Sequence, residues 1–178
     1  MVLRTGRAKV CARRAGHEVI LSVLDPGSLL GELSAIDGSP RSATVIALEP
    51  VEIDVIDLEE FSEFLLGHPR VPTELLRLLS SRIRSLSTRQ LEFGTAGTLT
   101  RACATIARLA DRYGVEGDGR LTIDAPLSQQ EMASWSGMSR EALVKALHQL
   151  RSLGWMTVED HTLVLLDPDA IRRRARLD

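Results

Sequence analysis

The 178-residue chain is poor in cysteine, with Cys11 and Cys103 alone, and holds four histidines. Two cysteines far apart, one in a strand-like segment and one on a predicted helix, make neither a disulfide framework nor a four-ligand metal site. No apolar run is long enough to span a membrane. The basic start MVLRTGRAKV lacks the apolar core of a secretion signal, so a cytoplasmic location without membrane association is expected. No Ser-His-acid set, metal-ligand cluster or phosphate-cradling glycine-rich loop is visible, so no enzyme activity is expected. The formal net charge of −2 argues against nonspecific nucleic-acid binding. With 44% hydrophobic and 26% charged residues, the composition is that of an ordinary globular protein of one large or two small domains.

What is there is concentrated near the C-terminus, in SQQEMASWSGMSREALVKALHQLRSLGW from Ser128 to Trp155. Ser128 followed by Glu131 is a capping box, and Leu127 with Met132 can staple the helix entry. Ala133 and Gly137 sit where two helices would cross closely, and Gly137 suits the left-handed residue that ends the first helix. Ser139, Arg140 and Glu141 open a second helix whose Leu143, Leu147 and Leu150 form one apolar face. Its other face carries Arg140, Lys145 and Arg151 against Glu141, a local positive charge in a neutral chain. After Gly154 the pattern alternates through Trp155, Thr157 and Val158. A polar tip, Glu159-Asp160-His161, leads into Leu163 to Leu166. The two helices and the hairpin read as a winged helix-turn-helix, a module that reads DNA.

The remaining chain divides by period. Short apolar or alternating runs, Arg7 to Val10, Glu18 to Leu24 and Val51 to Ile56, are broken by Gly16, Pro26-Gly27 and Gly38-Ser39-Pro40, which predicts β-structure to about residue 60. From Pro72, Leu76, Leu79, Ile83, Leu86, Gln90 and Phe93 repeat as the seam of a coiled coil. That seam either meets a second chain or packs on the chain's own β-region. Arg82, Arg84 and Arg89 flank it and are expected on its wetter sides. Gly94 and Gly97 interrupt the helix, as a hinge or as ordinary caps, before an amphipathic stretch from Thr98 to Tyr113. Gly114 to Gly119 is expected as a turn and Leu121 to Ile123 as a short strand.

Ahead of the long helix lies GELSAIDGSPRSATV, Gly31 to Val45, in which Arg-Ser follows the acid by nine residues. Arg41 offers a planar fork for phosphate oxygens. Ser42 and backbone N–H groups at a short helix start add neutral donors, and Glu32 can accept from a ribose hydroxyl. The same Arg and Glu could equally be a surface ion pair.

Taken in order, these elements resemble the cyclic-AMP receptor protein (CRP/FNR) family of bacterial transcription regulators over nearly the whole chain. The resemblance rests on Gly31, Glu32, Arg41 and Ser42, which match the family's cyclic-nucleotide cassette. It rests also on Ser139-Arg140-Glu141-Ala142-Leu143-Val144-Lys145, which matches its reading-helix pattern. It implies an α+β fold with a cyclic-nucleotide-binding-like β-roll over residues 1–71, a dimerisation helix over 72–94 and a winged helix-turn-helix over 95–178. The roll is expected to be partial, since family members carry further strands before the segment matching Val2 to Val10. Implied contacts are Arg140, Glu141 and Lys145 to bases or phosphates and Ser128, Gln129 and Ser139 to the DNA backbone. The implied ligand contacts are Gly31, Glu32, Arg41, Ser42 and Ser87. Where responsive members place a Thr-Ser pair against the purine, this chain has Leu86 and Ser87, and Leu86 cannot hydrogen-bond adenine. Iron-sulfur sensing needs more cysteines, and haem sensing would fall to His17 or His68, neither expected as a ligand. The function expected is a homodimeric regulator of palindromic double-stranded DNA, with cAMP or cGMP as effector and RNA polymerase as a further partner. The rival expectation is a truncated, ligand-independent partner that dimerises through the heptads and modulates an intact regulator.

Overall fold

The computed structural model describes residues 1–14, 17–117, 120–159 and 162–176. Gly16, Gly119, Asp160 and His161, expected in turns and at the hairpin tip, lie outside them. The fold is mixed and divides into two compact units, Met1–Gln90 and Leu91–Asp178.

The first unit is built from short strands, β1 (Val2–Thr5), β2 (Ala8–Arg14), β3 (His17–Leu24), β4 (Thr44–Ala47) and β5 (Glu52–Asp54). Antiparallel pairing orders three of them β3-β2-β4, while β1 pairs with β5. A register shift opposite Val10 and Cys11 leaves Leu21 as an extra residue on β3, so that Ile20 and Val23, three apart, are both buried, which strict alternation would forbid. Leu3, Ala8, Leu24 and Leu30 form the core there, with Met1, Val10 and Val51 packed against it. Helix α1 (Glu32–Asp37) sits in the cassette, and α2 (Leu58–Gly67) follows β5. The expected all-β character thus stops short of α2, whose start is capped by Asp57 accepting from the Glu60 N–H at 2.8 Å.

Helix α3 (Val71–Thr95) continues through Gly94, so the helix break lies at Ala96 and Gly97 and not at the first glycine. Of the three arginines expected on its wetter sides, Arg84 is exposed and the other two are corrected by the structure. Arg82 and Arg89 are half-buried and reach back to the rest of the same unit: Arg82 to Glu32 at the start of α1 and to the Leu29 carbonyl, Arg89 to the carbonyls of Ile20 and Leu21 on β3. Seven residues apart, the two arginines share one helix face, and the head of each meets at least one backbone carbonyl. The seam lies elsewhere, with Leu76 65%, Ile83 63% and Leu86 53% exposed.

In the second unit α4 (Thr98–Tyr113) supplies the central face, burying Ala102, Cys103, Ile106 and Leu109. Strands β6 (Gly114–Gly117), β7 (Arg120–Ile123), β8 (Met156–Glu159) and β9 (Thr162–Leu165) pair antiparallel in the order β6-β7-β9-β8. The expected turn from Gly114 is therefore a strand through Gly117, in register Gly114 with Ile123. Glycine is needed at position 114 because a Cβ would collide with the Ala110 carbonyl and press on Leu121. Helices α5 (Gln129–Trp135), α6 (Arg140–Ser152) and α7 (Pro168–Ala175) complete the unit. Leu143, Leu147 and Leu150 of α6 are buried as their spacing predicts.

Cys103 is fully buried on α4, and desolvation pushes its thiol up to about 11 despite the opposing charge of Arg174. Native protein at pH 8 should therefore leave Cys103 unmodified by iodoacetamide, with rapid labelling after denaturation. Mass-spectrometric mapping showing labelling of Cys103 in the folded protein would contradict this placement.

Candidate functional site

The helix-turn-helix is assembled by local chemistry that the sequence displays. The capping box at Ser128 is complete: its hydroxyl accepts from the Glu131 N–H at 3.3 Å and the Glu131 carboxylate accepts from the Ser128 N–H at 2.9 Å. Leu127 and Met132 are both buried beside it. The far end of α5 closes with Met138 N–H donating to the Ala133 carbonyl at 2.9 Å and Gly137 N–H to Ser134 at 3.1 Å. With Gly137 at φ 63°, this is the left-handed helix stop. A Cβ on Gly137 would meet the Phe93 ring at 2.9 Å. The close approach at Gly137 is thus to the last turn of α3 and not, as expected, between the two helices of the motif.

Below the turn lies a buried polar chain. Glu92, 6% exposed, accepts two hydrogen bonds from Arg108 at 2.7 and 2.8 Å. Arg108 also donates to the Thr105 hydroxyl at 3.2 Å and lies 5.6 Å from the Trp135 ring centre. Thr105 and Ser136 share a 2.8 Å hydroxyl bond, and Ser136 donates onward to the Met132 carbonyl. Arg101 adds a 3.0 Å bond to the Gly137 carbonyl. The motif pattern points to none of these supports, although an acid in the last turn of the long helix and an arginine on the apolar-striped α4 are readable signals.

The reading face itself is open. Ser128, Gln129, Ser139, Arg140, Glu141 and Lys145 are all exposed. Ser139 caps α6, its hydroxyl accepting from Ala142 N–H at 3.2 Å. The Glu141 carboxyl is held below the ordinary carboxylate range by its own backbone N–H, then by the Ser139 hydroxyl and the Arg140 charge. It remains an acceptor at mildly acid pH. Val144, 43% exposed and at an unspecified position of the reading-helix pattern, and His148, beyond it, share this face. An exposed valine between cations is suited to a thymine methyl.

In the first unit the cassette residues divide into two groups. Gly31, Glu32 and Arg41 line one cavity of about 380 Å³, together with Ser34, Ser39 and Phe61. Gly31 is left-handed at φ 71°, and the Arg41 guanidinium fills the space a side chain would take, donating to the Gly31 carbonyl at 2.8 Å. Glu32 is buried at 4% exposure with its carboxylate on Arg82. Ser42 and Ser87 are exposed and do not line this cavity. The Ser87 hydroxyl donates to the Ile83 carbonyl at 3.0 Å. Arg82 is absent from the expected site residues; the signal for it is a cation standing one turn from both Leu78 and Leu86 on α3.

Residues 1–68 match the family model for a cyclic nucleotide-binding domain, and residues 100–174 match a Crp-like helix-turn-helix domain. A CRP-like cAMP-activated global transcriptional regulator of Mycobacterium tuberculosis is 29% identical over 98% of this chain and 79% of its own length. The cyclic AMP receptor protein of Thermus thermophilus is 32% identical, over 85% of this chain and 69% of its own. Among solved structures, a CooA mutant from Carboxydothermus hydrogenoformans aligns at TM-score 0.84 over 98% of this chain and 78% of its own, with 16% identity, which speaks to fold. A CRP/FNR-family transcriptional regulator, also from Thermus thermophilus, aligns at TM-score 0.79 over 98% of this chain and 86% of its own, with 20% identity. A cyclic nucleotide-binding domain followed by a Crp-like helix-turn-helix domain defines a regulator of transcription. This chain belongs to the CRP/FNR family. Among the described residues no helix is long and apolar enough to cross a membrane.

Arg82→Ala would leave Glu32 buried without its cation. Loss of about 2 to 3 kcal/mol is expected, short of a fully enclosed pair because Arg82 is partly wet. Urea denaturation measures it, and Glu32→Gln, which keeps an acceptor without the charge, should cost less.

Proposed function

We propose that the chain acts in the cytoplasm as a homodimeric, sequence-specific regulator, reading a roughly palindromic double-stranded DNA site and answering to a cyclic nucleotide. The observation that carries the DNA half is the face of α6, where Arg140, Glu141, Val144 and Lys145 stand exposed above a buried turn. Arg140 has the planar fork for guanine N7 and O6, Glu141 accepts from cytosine N4, and Lys145 reaches a base or phosphate. Ser128, Gln129 and Ser139 position the backbone. The exposed seam of Leu76, Ile83 and Leu86 supports pairing of two chains. Two reading helices would then enter successive major grooves about 34 Å apart. RNA polymerase is the partner such a regulator would address.

For the effector, Arg41 and backbone groups at Gly31 would hold a phosphate, Glu32 a ribose hydroxyl, and Ser42 and Ser87 further polar edges. The cAMP-activated relative from Mycobacterium tuberculosis supports cAMP or cGMP as the class. Leu86 withholds one purine contact, so discrimination between the two bases should be weak.

Arg140→Ala is expected to cost about 1 to 3 kcal/mol on a selected DNA site and to relax preference at one base position. Competition binding against single-base variants measures this, and unchanged affinity and specificity would remove Arg140 from the reading set. Replacing Ile83 with Asp in the seam should shift the protein to monomer in sedimentation and abolish binding to a two-half-site duplex. Calorimetry with cAMP and cGMP tests the effector, with comparable heats expected for both and loss of both in Arg41→Ala.

A further inference from the structure

Helix α7 holds Arg172, Arg173 and Arg174 in succession, and Arg176 follows at its cap. One acid, Asp169, stands on the same helix. Cations at a helix C-terminus gain from the backbone dipole, yet each gains only about 0.3 to 1 kcal/mol when exposed, and adjacent like charges repel. The dipole alone is a weak reason to gather four guanidinium groups. Their partners divide them. Arg172 pairs with Asp111 of α4 at 3.2 Å, whereas Arg173, Arg174 and Arg176 are exposed and make no ion pair among the described residues.

The position of the cluster follows from its docking. Ala170 and Ile171 are buried, fixing α7 against the unit's core. Arg172 meets Asp111 in the last turn of α4, while the charge of Arg174 reaches Cys103, about two turns nearer the start of α4. Helix α7 therefore runs back along α4 toward its first turn. That first turn is the one whose Arg101 holds the Gly137 carbonyl in the helix-turn-helix. The arginines thus approach the end of α4 that supports the reading motif.

We propose that Arg173, Arg174 and Arg176 form a phosphate-binding surface that clamps the DNA backbone beside the bases read by α6. The inference rests on the DNA-reading function proposed above and adds a second, sequence-blind contact to it. Guanidinium forks match phosphate oxygens in pairs of hydrogen bonds. Such contacts add affinity and salt dependence without base preference.

The test compares the full chain with R173Q/R174Q/R176Q and R173K/R174K/R176K, Arg172 being kept to preserve the Asp111 pair. DNA sites are first selected from a random pool with unaltered protein. Fluorescence anisotropy then follows binding across a salt series, on a duplex with long flanks and on one trimmed to the selected bases. The glutamine variant should bind all sequences more weakly with unchanged base preference, and its salt slope should be shallower by about 1 to 3 per protomer. The lysine variant, retaining charge, should keep most of the slope, and trimming should weaken unaltered protein more than the glutamine variant. A glutamine variant with unaltered slope on the long duplex overturns the proposal. If that variant also fails to promote transcription with purified polymerase, the surface faces polymerase instead. A chain that selects no sequence at all fails at the DNA-reading function itself, before the arginines are in question.

Discussion

Thr105 and Ser136 meet through a single 2.8 Å hydroxyl bond in the interior of the second unit, each about 1% exposed. Ser136 is the C-cap of α5, directly before the left-handed Gly137, so this bond pins the turn from which α6 departs. In a water-poor interior an unmatched hydroxyl costs about 1 to 3 kcal/mol, so the two groups hold each other in place more strongly than their net worth suggests. Arg108 extends the chain to Glu92, converting a turn into part of a four-residue network. The direction in which α6 leaves the turn depends on these bonds remaining satisfied together.

The same network explains the form of the last turn of α3. Glu92 is buried on a helix whose other residues are all at least partly exposed, because Arg108 meets it with two hydrogen bonds, and Phe93 lies against Gly137, where no side chain larger than hydrogen fits. The end of the long helix is therefore built into the reading unit, and its residues serve packing there more than they serve the heptad seam. A residue that periodicity assigns to a coiled coil, Phe93, has its ring occupied locally. Periodicity records which residues are apolar; it does not say which neighbour claims them.

This is also where the boundary of sequence legibility lies. The winged helix-turn-helix is readable almost residue by residue, because caps, left-handed glycines and leucine spacing are short-range causes acting within a few residues. The cassette is readable as a motif. By contrast α2 is hidden because its Leu58, Phe61 and Phe64 fall in a segment whose preceding strands set a β expectation, while Asp57 and two glutamates at its start are the local signal. Arg82 and Arg89 defeat a local reading because their partners lie 50 and 68 residues away in sequence. Charge suggests water, and only tertiary structure reveals a buried carboxylate or strand carbonyl waiting for it.

In the proposed effector role those long-range pairs decide which cassette residues a ligand can recruit. Arg41 is held by one neutral carbonyl, and a phosphate offers an anionic partner that the guanidinium fork can meet with two hydrogen bonds, so exchange is favourable. Glu32 is different. Its carboxylate is buried on Arg82 of α3, and losing that cation would strand a charge away from water. A ribose hydroxyl must then bind Glu32 with Arg82 still in place, or draw Arg82 along with it. Either way the ligand acts on a carboxylate already tied to the long helix. The constraint that limits direct contact is thus the one that gives a ligand mechanical access to α3, since differential contact with two arrangements of that pair is what coupling requires.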